Sequence, residues 1–335
     1  MKKIILLCLF VLGISAFAKE EVNIYTERHY DADKILIKNF EKETGIKINV
    51  VKAKGDELIK KLELEGKDTP ADLFITADAG KLYRAKEKGL LQPVVTEKLS
   101  ENVKETLKDK DDFWYGLTYR ARIIAYDPTK TDASSINKIE DLADDKWKGK
   151  ILVRSSSNLY NQSLLASIIK NDGEEEATKW AKSIVENMAR SPKGNDRDQA
   201  KGVVSRVGEI AIMNSYYMGR LLTSKDPYEV KVGKALKIKF LNQEDRGNHI
   251  NASGAGITKY SKNKENAIKF LEYMTSIEGQ KVFAELNYEY PVNEKVSPSE
   301  IVKKWGDFKA DNLDLNYLGV YNEKAVKIFD EVGWK

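Results

Sequence analysis

The sequence predicts an α/β protein built as two lobes. Up to Gly89, short β-prone runs alternate with amphipathic helical segments, the pattern of a mainly parallel sheet. Near Trp114 that order breaks, and a second series of strands and helices follows. Two extended runs, near 120–127 and 237–245, fall where the chain is expected to cross between lobes. The lobes expected from this are 19–123 plus 238–280, and 124–237 plus 281–335.

The elements follow in order. Val22-Asn23-Ile24-Tyr25 reads as the first strand. Asp31 is a plausible cap for DKILIKNFEKETG, with apolar Ile35, Leu36 and Phe40 and a stop at Gly45. IKINVVKA is a strand, DELIKKLELEG a helix, Ala71 to Ile75 a strand, and GKLYRAKEKG a helix ending at Gly89. Arg120 to Tyr126 is a β-prone run ended by Pro128. IEDLADDKW reads as a helix and Ile151 to Val153 as a strand. SNLYNQSLLASIIKNDG and EEEATKWAKSIVENMA read as helices, GEIAIMNS as a strand, and YYMGRLL as the start of a helix. Lys237 to Leu241 and Gly254 to Ile257 are strand-like, and KENAIKFLEYMTSIEGQKVFAEL is helical.

The first 18 residues, MKKIILLCLFVLGISAFA, have the form of a secretory signal peptide: Lys2 and Lys3, an apolar stretch, then Ala16-Phe17-Ala18. The chain's single cysteine, Cys8, lies in this segment, after two large residues unsuited to a lipid-attachment site. Without that segment no cysteine remains, so a metal site needs oxygen and nitrogen donors. The formal charge of +4 falls to +2 once Lys2 and Lys3 are set aside. Lysines alternate with acids along helix faces, which argues against nucleic acid as a partner. No G-x-S-x-G or H-E-x-x-H motif and no fixed-period repeat occurs, so neither a hydrolase nor a repeat scaffold is expected.

Ligands of open α/β folds bind outside the carboxyl ends of strands. Three polar-aromatic segments fall there: His29-Tyr30, Tyr160 and Tyr216-Tyr217. A phenol ordinarily titrates near pH 10. A hard trivalent cation stabilises the phenolate, and ferric iron suits such a donor set. Four phenolates and a neutral imidazole leave one net negative charge on Fe(III), which a nearby arginine can offset. Arg220, one helical turn after the tyrosine pair, and Arg120 are the candidates. Each residue also has an ordinary reading. A Tyr-Tyr pair packs cores, His29 and His249 suit loops, and Arg220 suits a helix surface. With sixteen tyrosines in the chain, spacing alone does not identify a metal. Ser155 to Ser157 with Arg120 and Arg154 could instead cradle a small organic anion or phosphate ester.

The stretches VNIYTERHYDADK, ADLFITADAGKLYRAKEKGLLQP, YGLTYRARIIAYDP, ARSPKGNDRDQ and NSYYMGR resemble the ferric-iron-binding periplasmic proteins of bacterial ABC transporters, over nearly the whole mature chain. The resemblance implies a type II periplasmic-binding-protein fold with the ligand in a cleft between lobes. It implies His29, Tyr30, Tyr160, Tyr216 and Tyr217 as ligands of an Fe(III) cargo, with no exogenous anion required. Tyr119 or Tyr126 is the alternative to Tyr160. Arg120, Arg220 and Arg190, the last in ARSPKG, are the implied charge-balancing residues. It further implies a monomer in the periplasm that delivers iron to an inner-membrane permease and its ATPase, without catalysis.

Overall fold

The computed structural model describes residues 20–335, and the expected signal peptide lies outside them. The chain begins with β1 (Glu21–Thr26), α1 (Asp31–Thr44), β2 (Lys47–Lys52), α2 (Gly55–Glu65), β3 (Leu73–Thr76), α3 (Ala79–Glu87) and α4 (Glu97–Asn102). β4 (Tyr115–Tyr126) starts five residues before the expected run. Next come β5 (Ile151–Leu152), α5 (Leu159–Asp172), α6 (Glu174–Asn187), α7 (Asp196–Val204), β6 (Ile210–Asn214), α8 (Tyr216–Leu222), α9 (Pro227–Ala235) and β7 (Lys237–Lys239). The chain returns through β8 (Ile250–Ile257), α10 (Lys264–Thr275), α11 (Ile277–Asn287) and β9 (Tyr290–Pro291). It ends in α12 (Glu300–Lys303), α13 (Tyr317–Val320) and α14 (Asn322–Val332).

Four local expectations are corrected. Tyr30, not Asp31, is the N-cap of α1: Asp33 Oδ2 accepts from the Tyr30 backbone N–H at 3.1 Å. The buried stripe of α1 is Ala32, Leu36 and Phe40, at i+4 spacing, while Ile35 faces solvent. IEDLADDKW forms short 3₁₀ turns, Ile139–Ala143 and Asp145–Trp147, because Asp144 caps the second turn and interrupts the first. The long helix expected from Lys264 is two helices. Ser276 is extended, with ψ 168°, and its hydroxyl accepts from the Gly279 N–H at 3.2 Å, starting α11 afresh.

Among the described residues the strands form one sheet in the order β2-β1-β3-β8-β4-β6-β5, with β7 and β9 also paired to β4. It is mixed rather than mainly parallel. β1 pairs parallel with β2 and β3, and β5 with β6, but β8 and β4 run antiparallel to their neighbours. β4 belongs to both lobes. Its first part pairs with β8 as far as Ala121, and from Arg122 onward it pairs with β6. The return crossing lies just before β8, where the Arg122 N–H donates to the His249 carbonyl at 2.9 Å.

Buried apolar side chains fall into one cluster around β1, β3 and α1, and two around β5, β6 and α5. They divide the chain differently from the expected boundaries. Phe283, Val292, Leu315 and Leu318 pack into the first cluster, because α11 lies against α1, β9 pairs with β4 and α13 packs on α3. Leu241 packs into the second lobe's core. Each such fully buried side chain contributes roughly 1.5–3 kcal/mol.

Candidate metal centre

The carboxyl ends of β1, β5 and β6 open into the cleft between these cores, and each is followed by one of the expected aromatic segments. Tyr216 and Tyr217 are the first two residues of α8, directly after β6 and Ser215. Tyr160 is the second residue of α5, whose N-cap Asn158 accepts from its N–H at 3.2 Å. His29 and Tyr30 lie between β1 and α1.

The four expected tyrosines come together. The Tyr160 and Tyr216 hydroxyls are 3.1 Å apart. The Tyr216 and Tyr217 rings stack at 4.3 Å, and Tyr30 meets Tyr216 edge-on at 6.4 Å from the opposite lobe. Tyr216 is buried, Tyr30 and Tyr160 nearly so, and Tyr217 is half-buried. His29 sits exposed at the rim, its ring 5.0 Å from that of Tyr30. Its Nδ1 is 3.4 Å from the Glu27 carbonyl; the tautomer that donates there leaves Nε2 as an acceptor for a metal. Tyr119 stacks on Tyr290 at 5.1 Å, and Tyr126 packs against the second lobe's core, so neither alternative to Tyr160 joins the group.

Burial raises the phenol pKa of Tyr216 and Tyr160 well above its ordinary value, and neighbouring tyrosines add to the shift. Tyr217 is raised for the same first reason, with Asp196 contributing. These three phenols, Tyr160, Tyr216 and Tyr217, are therefore neutral at pH 7 until a cation replaces their protons. Among the described residues no three His, Cys, Asp or Glu side chains gather as a metal cluster. Four phenols, drawn from both lobes, are thus the oxygen donors gathered here for a hard cation.

Two of the three expected arginines face the tyrosines. Arg220 lies 4.4 Å from the Tyr30 ring centre and 5.3 Å from that of Tyr216. Arg120 lies 5.2 Å from the Tyr160 ring, held by the Ala77 carbonyl. Arg190 instead bonds the Asp198 carbonyl and Gln199 Oε1 at 3.5 and 3.4 Å, because the turn after α6 carries it onto α7. Sequence reasoning missed Arg28, 5.0 Å from the Tyr30 ring. It also missed His249, which closes a narrow space behind Tyr160 with Arg120, Arg122, Asn214 and Asn251. Loss of hydration, then the Arg122 and Arg120 charges, push the His249 pKa down to about 3, so its ring is neutral. Only its place beside the crossing could have marked His249; nothing in GNHINAS does. Ser155 and Ser157 bond each other at 2.9 Å near the surface, and Arg154 lies 5.8 Å from the Tyr160 ring.

The cleft walls touch. Asp78 Oδ2, at the start of α3, accepts from Ser163 Oγ of α5 at 2.6 Å and from Asn251 Nδ2 at 2.7 Å. Arg220 Nη2 donates to Asn287 Oδ1 of α11 at 3.0 Å.

The model of the bacterial extracellular solute-binding protein family matches residues 36–310, and the chain belongs to that family. It is 45% identical over 317 residues to the iron uptake protein A1 of a Synechocystis species, covering 95% of this chain and 88% of the relative. A solved ferric binding protein from Campylobacter jejuni superposes with a TM-score of 0.90 at 49% identity, covering 94% of this chain and all of that one. A Trichodesmium structure (IdiA, FutA) containing iron and citrate ligands superposes at 0.89 with 46% identity, over 94% of this chain and all of that one. The fold is that of the type II periplasmic binding proteins, as the sequence led us to expect.

Proposed function

We propose that this protein captures ferric iron in the periplasm and delivers it to an inner-membrane ABC permease powered by its ATPase. His29 and Tyr30 from one lobe, and Tyr160, Tyr216 and Tyr217 from the other, are the proposed ligands. The observation that carries this reading is the meeting, across the cleft, of Tyr30 with Tyr216, which itself stacks on Tyr217 and lies within hydrogen-bond distance of Tyr160. Their separate positions in the chain are expected of a site assembled by closure rather than of a local packing motif.

Four phenolates and one imidazole give five donors and an anionic complex, so no exogenous anion is needed for charge. Arg220 and Arg120 offset the remaining negative charge. The closed, low-dielectric cleft strengthens these interactions. Release follows from protonation of the phenolates or reduction of the iron, since Fe(II) favours a hard anionic set less. Equal affinity for Fe(II) and Fe(III) at one pH is the result that excludes release by reduction.

The test is a visible spectrum of the mature protein with ferric citrate, and again with an iron chelate lacking citrate. Phenolate-to-iron charge transfer is expected to give a broad coloured band with both, lost or strongly reduced in Tyr216→Phe and Tyr217→Phe. A folded protein that stays colourless under both conditions refutes the reading. A band seen only with citrate refutes the independence from an anion.

A further inference from the structure

Arg28 is a charged side chain at 2% exposure, placed one residue before the proposed ligand pair. Its guanidinium is sandwiched between two rings, Tyr30 at 5.0 Å and Phe283 at 4.9 Å. Nε donates to Asp33 Oδ1 at 2.9 Å, which fixes the plane of the fork. Nη1 comes only to 3.8 Å of Glu289 Oε2, and neither Nη1 nor Nη2 has a hydrogen-bond partner. Burying a guanidinium with two such nitrogens is costly unless an electrostatic partner compensates. The ring face of a neutral phenol compensates weakly, and that of a phenolate much more strongly.

The surroundings hold Arg28 in that place. Asp33 also accepts from the Tyr30 N–H, so one carboxylate fixes both the arginine and the backbone of the tyrosine it stacks on. Glu289 accepts from Thr118 at 2.9 Å and Asn287 at 2.6 Å, and Asn287 in turn accepts from Arg220. Arg220 lies against the same Tyr30 ring. Tyr30 thus meets two guanidiniums joined through Glu289 and Asn287, one from each lobe.

We propose that Arg28 is a positioning residue for the iron site: it fixes the Tyr30 ring and sets the Fe(III)/Fe(II) potential of the bound ion through its permanent charge. This rests on the iron reading above. The physical basis is the charge of the complex. Reduction makes the complex more negative by one unit, so a fixed cation beside it stabilises the Fe(II) form more than the Fe(III) form. Removing that cation lowers the potential. Removing the Glu289 carboxylate raises it.

The experiment compares wild type, Arg28→Gln, Arg28→Lys and Glu289→Gln as full-length mature proteins loaded with ferric iron. It reads the charge-transfer band, the affinity for Fe(III) and the reduction potential of the bound iron. In Arg28→Gln we expect Fe(II) affinity to fall about tenfold more than Fe(III) affinity. That equals a potential lower by about 59 mV for one electron. The band is expected to move to longer wavelength, because the lost cation lay against the donor ring. Arg28→Lys keeps the charge without the planar stack and is expected to fall between wild type and Arg28→Gln. A residue that only packs changes thermal stability and leaves the potential and band in place, and that result in Arg28→Gln overturns the proposal. Should Arg28→Gln yield no folded protein, Glu289→Gln decides: a potential that fails to rise overturns it. A wild-type protein that shows no band at all refutes the iron reading itself.

Discussion

Tyr216 touches more of the proposed site than any other side chain, since it meets Tyr30, Tyr160 and Tyr217. Burial holds its phenol, and those of Tyr160 and Tyr217, above the ordinary pKa. The sign of the pH dependence follows. The apo protein holds these protons throughout the neutral range, and ferric iron must displace them, so affinity rises with pH. Each proton released makes affinity climb about tenfold per pH unit. A titration against a competing chelator between pH 5 and 8 checks this, once the chelator's own protonation is accounted for; an affinity independent of pH contradicts phenolate ligation. The tyrosine pair was legible in the sequence because it adjoins a strand end, where the fold class places ligands. Arg28 and the displacement of Arg190 were not. Both lie in irregular segments, whose side-chain directions follow from no period.

α8 is short and places two proposed ligands, so its seating on the neighbouring lobe matters more than its own stability. Gly219 makes that seating possible. A Cβ there would lie 2.3 Å from Cγ and 2.5 Å from Cβ of Tyr288. Tyr288 follows α11 with φ 58°, a strained backbone with little freedom to retreat. Gly219→Ala is therefore expected to cost about 1–3 kcal/mol in overpacking. It should also push α8 from α11 and weaken the Arg220–Asn287 bond. Chemical denaturation and iron titration together check it. Unchanged stability and affinity show that α8 adjusts freely and is not seated by this contact. At this scale the sequence specified most of the longer elements, since amphipathic periods and glycine stops are local signals. It did not specify the break between α10 and α11. Ser276 leaves the apolar period of KENAIKFLEYMTSIEGQKVFAEL intact while its hydroxyl begins a new helix. Nor did it reveal the antiparallel pairing of β4 and β8, because a strand's direction depends on the long connection that returns it.

Across the whole molecule, two lobes share β4, and β8 returns beside it, so relative motion of the lobes pivots on these strands. The walls meet at Asp78 and Ser163, residues of opposite lobes separated by 85 positions and bonded at 2.6 Å. The Asp78–Asn251 bond lies within the first lobe, whereas the Asp78–Ser163 bond spans the two lobes. Its loss therefore acts on the balance between open and closed forms more than on folding. A hydrogen bond to a charged group contributes about 1.5–3 kcal/mol, and about 1.4 kcal/mol is tenfold in an equilibrium. Ser163→Ala, which removes one hydroxyl from a buried helix face, is expected to favour the open form by about tenfold or more. Small-angle scattering of the apo protein should show a larger radius of gyration, and iron should dissociate faster from the loaded protein by a similar factor. The charge-transfer band should keep its position, because no proposed ligand has changed. If both the radius and the dissociation rate match wild type, closure is held elsewhere, and the Arg220–Asn287 contact beside the tyrosines becomes the element to break next.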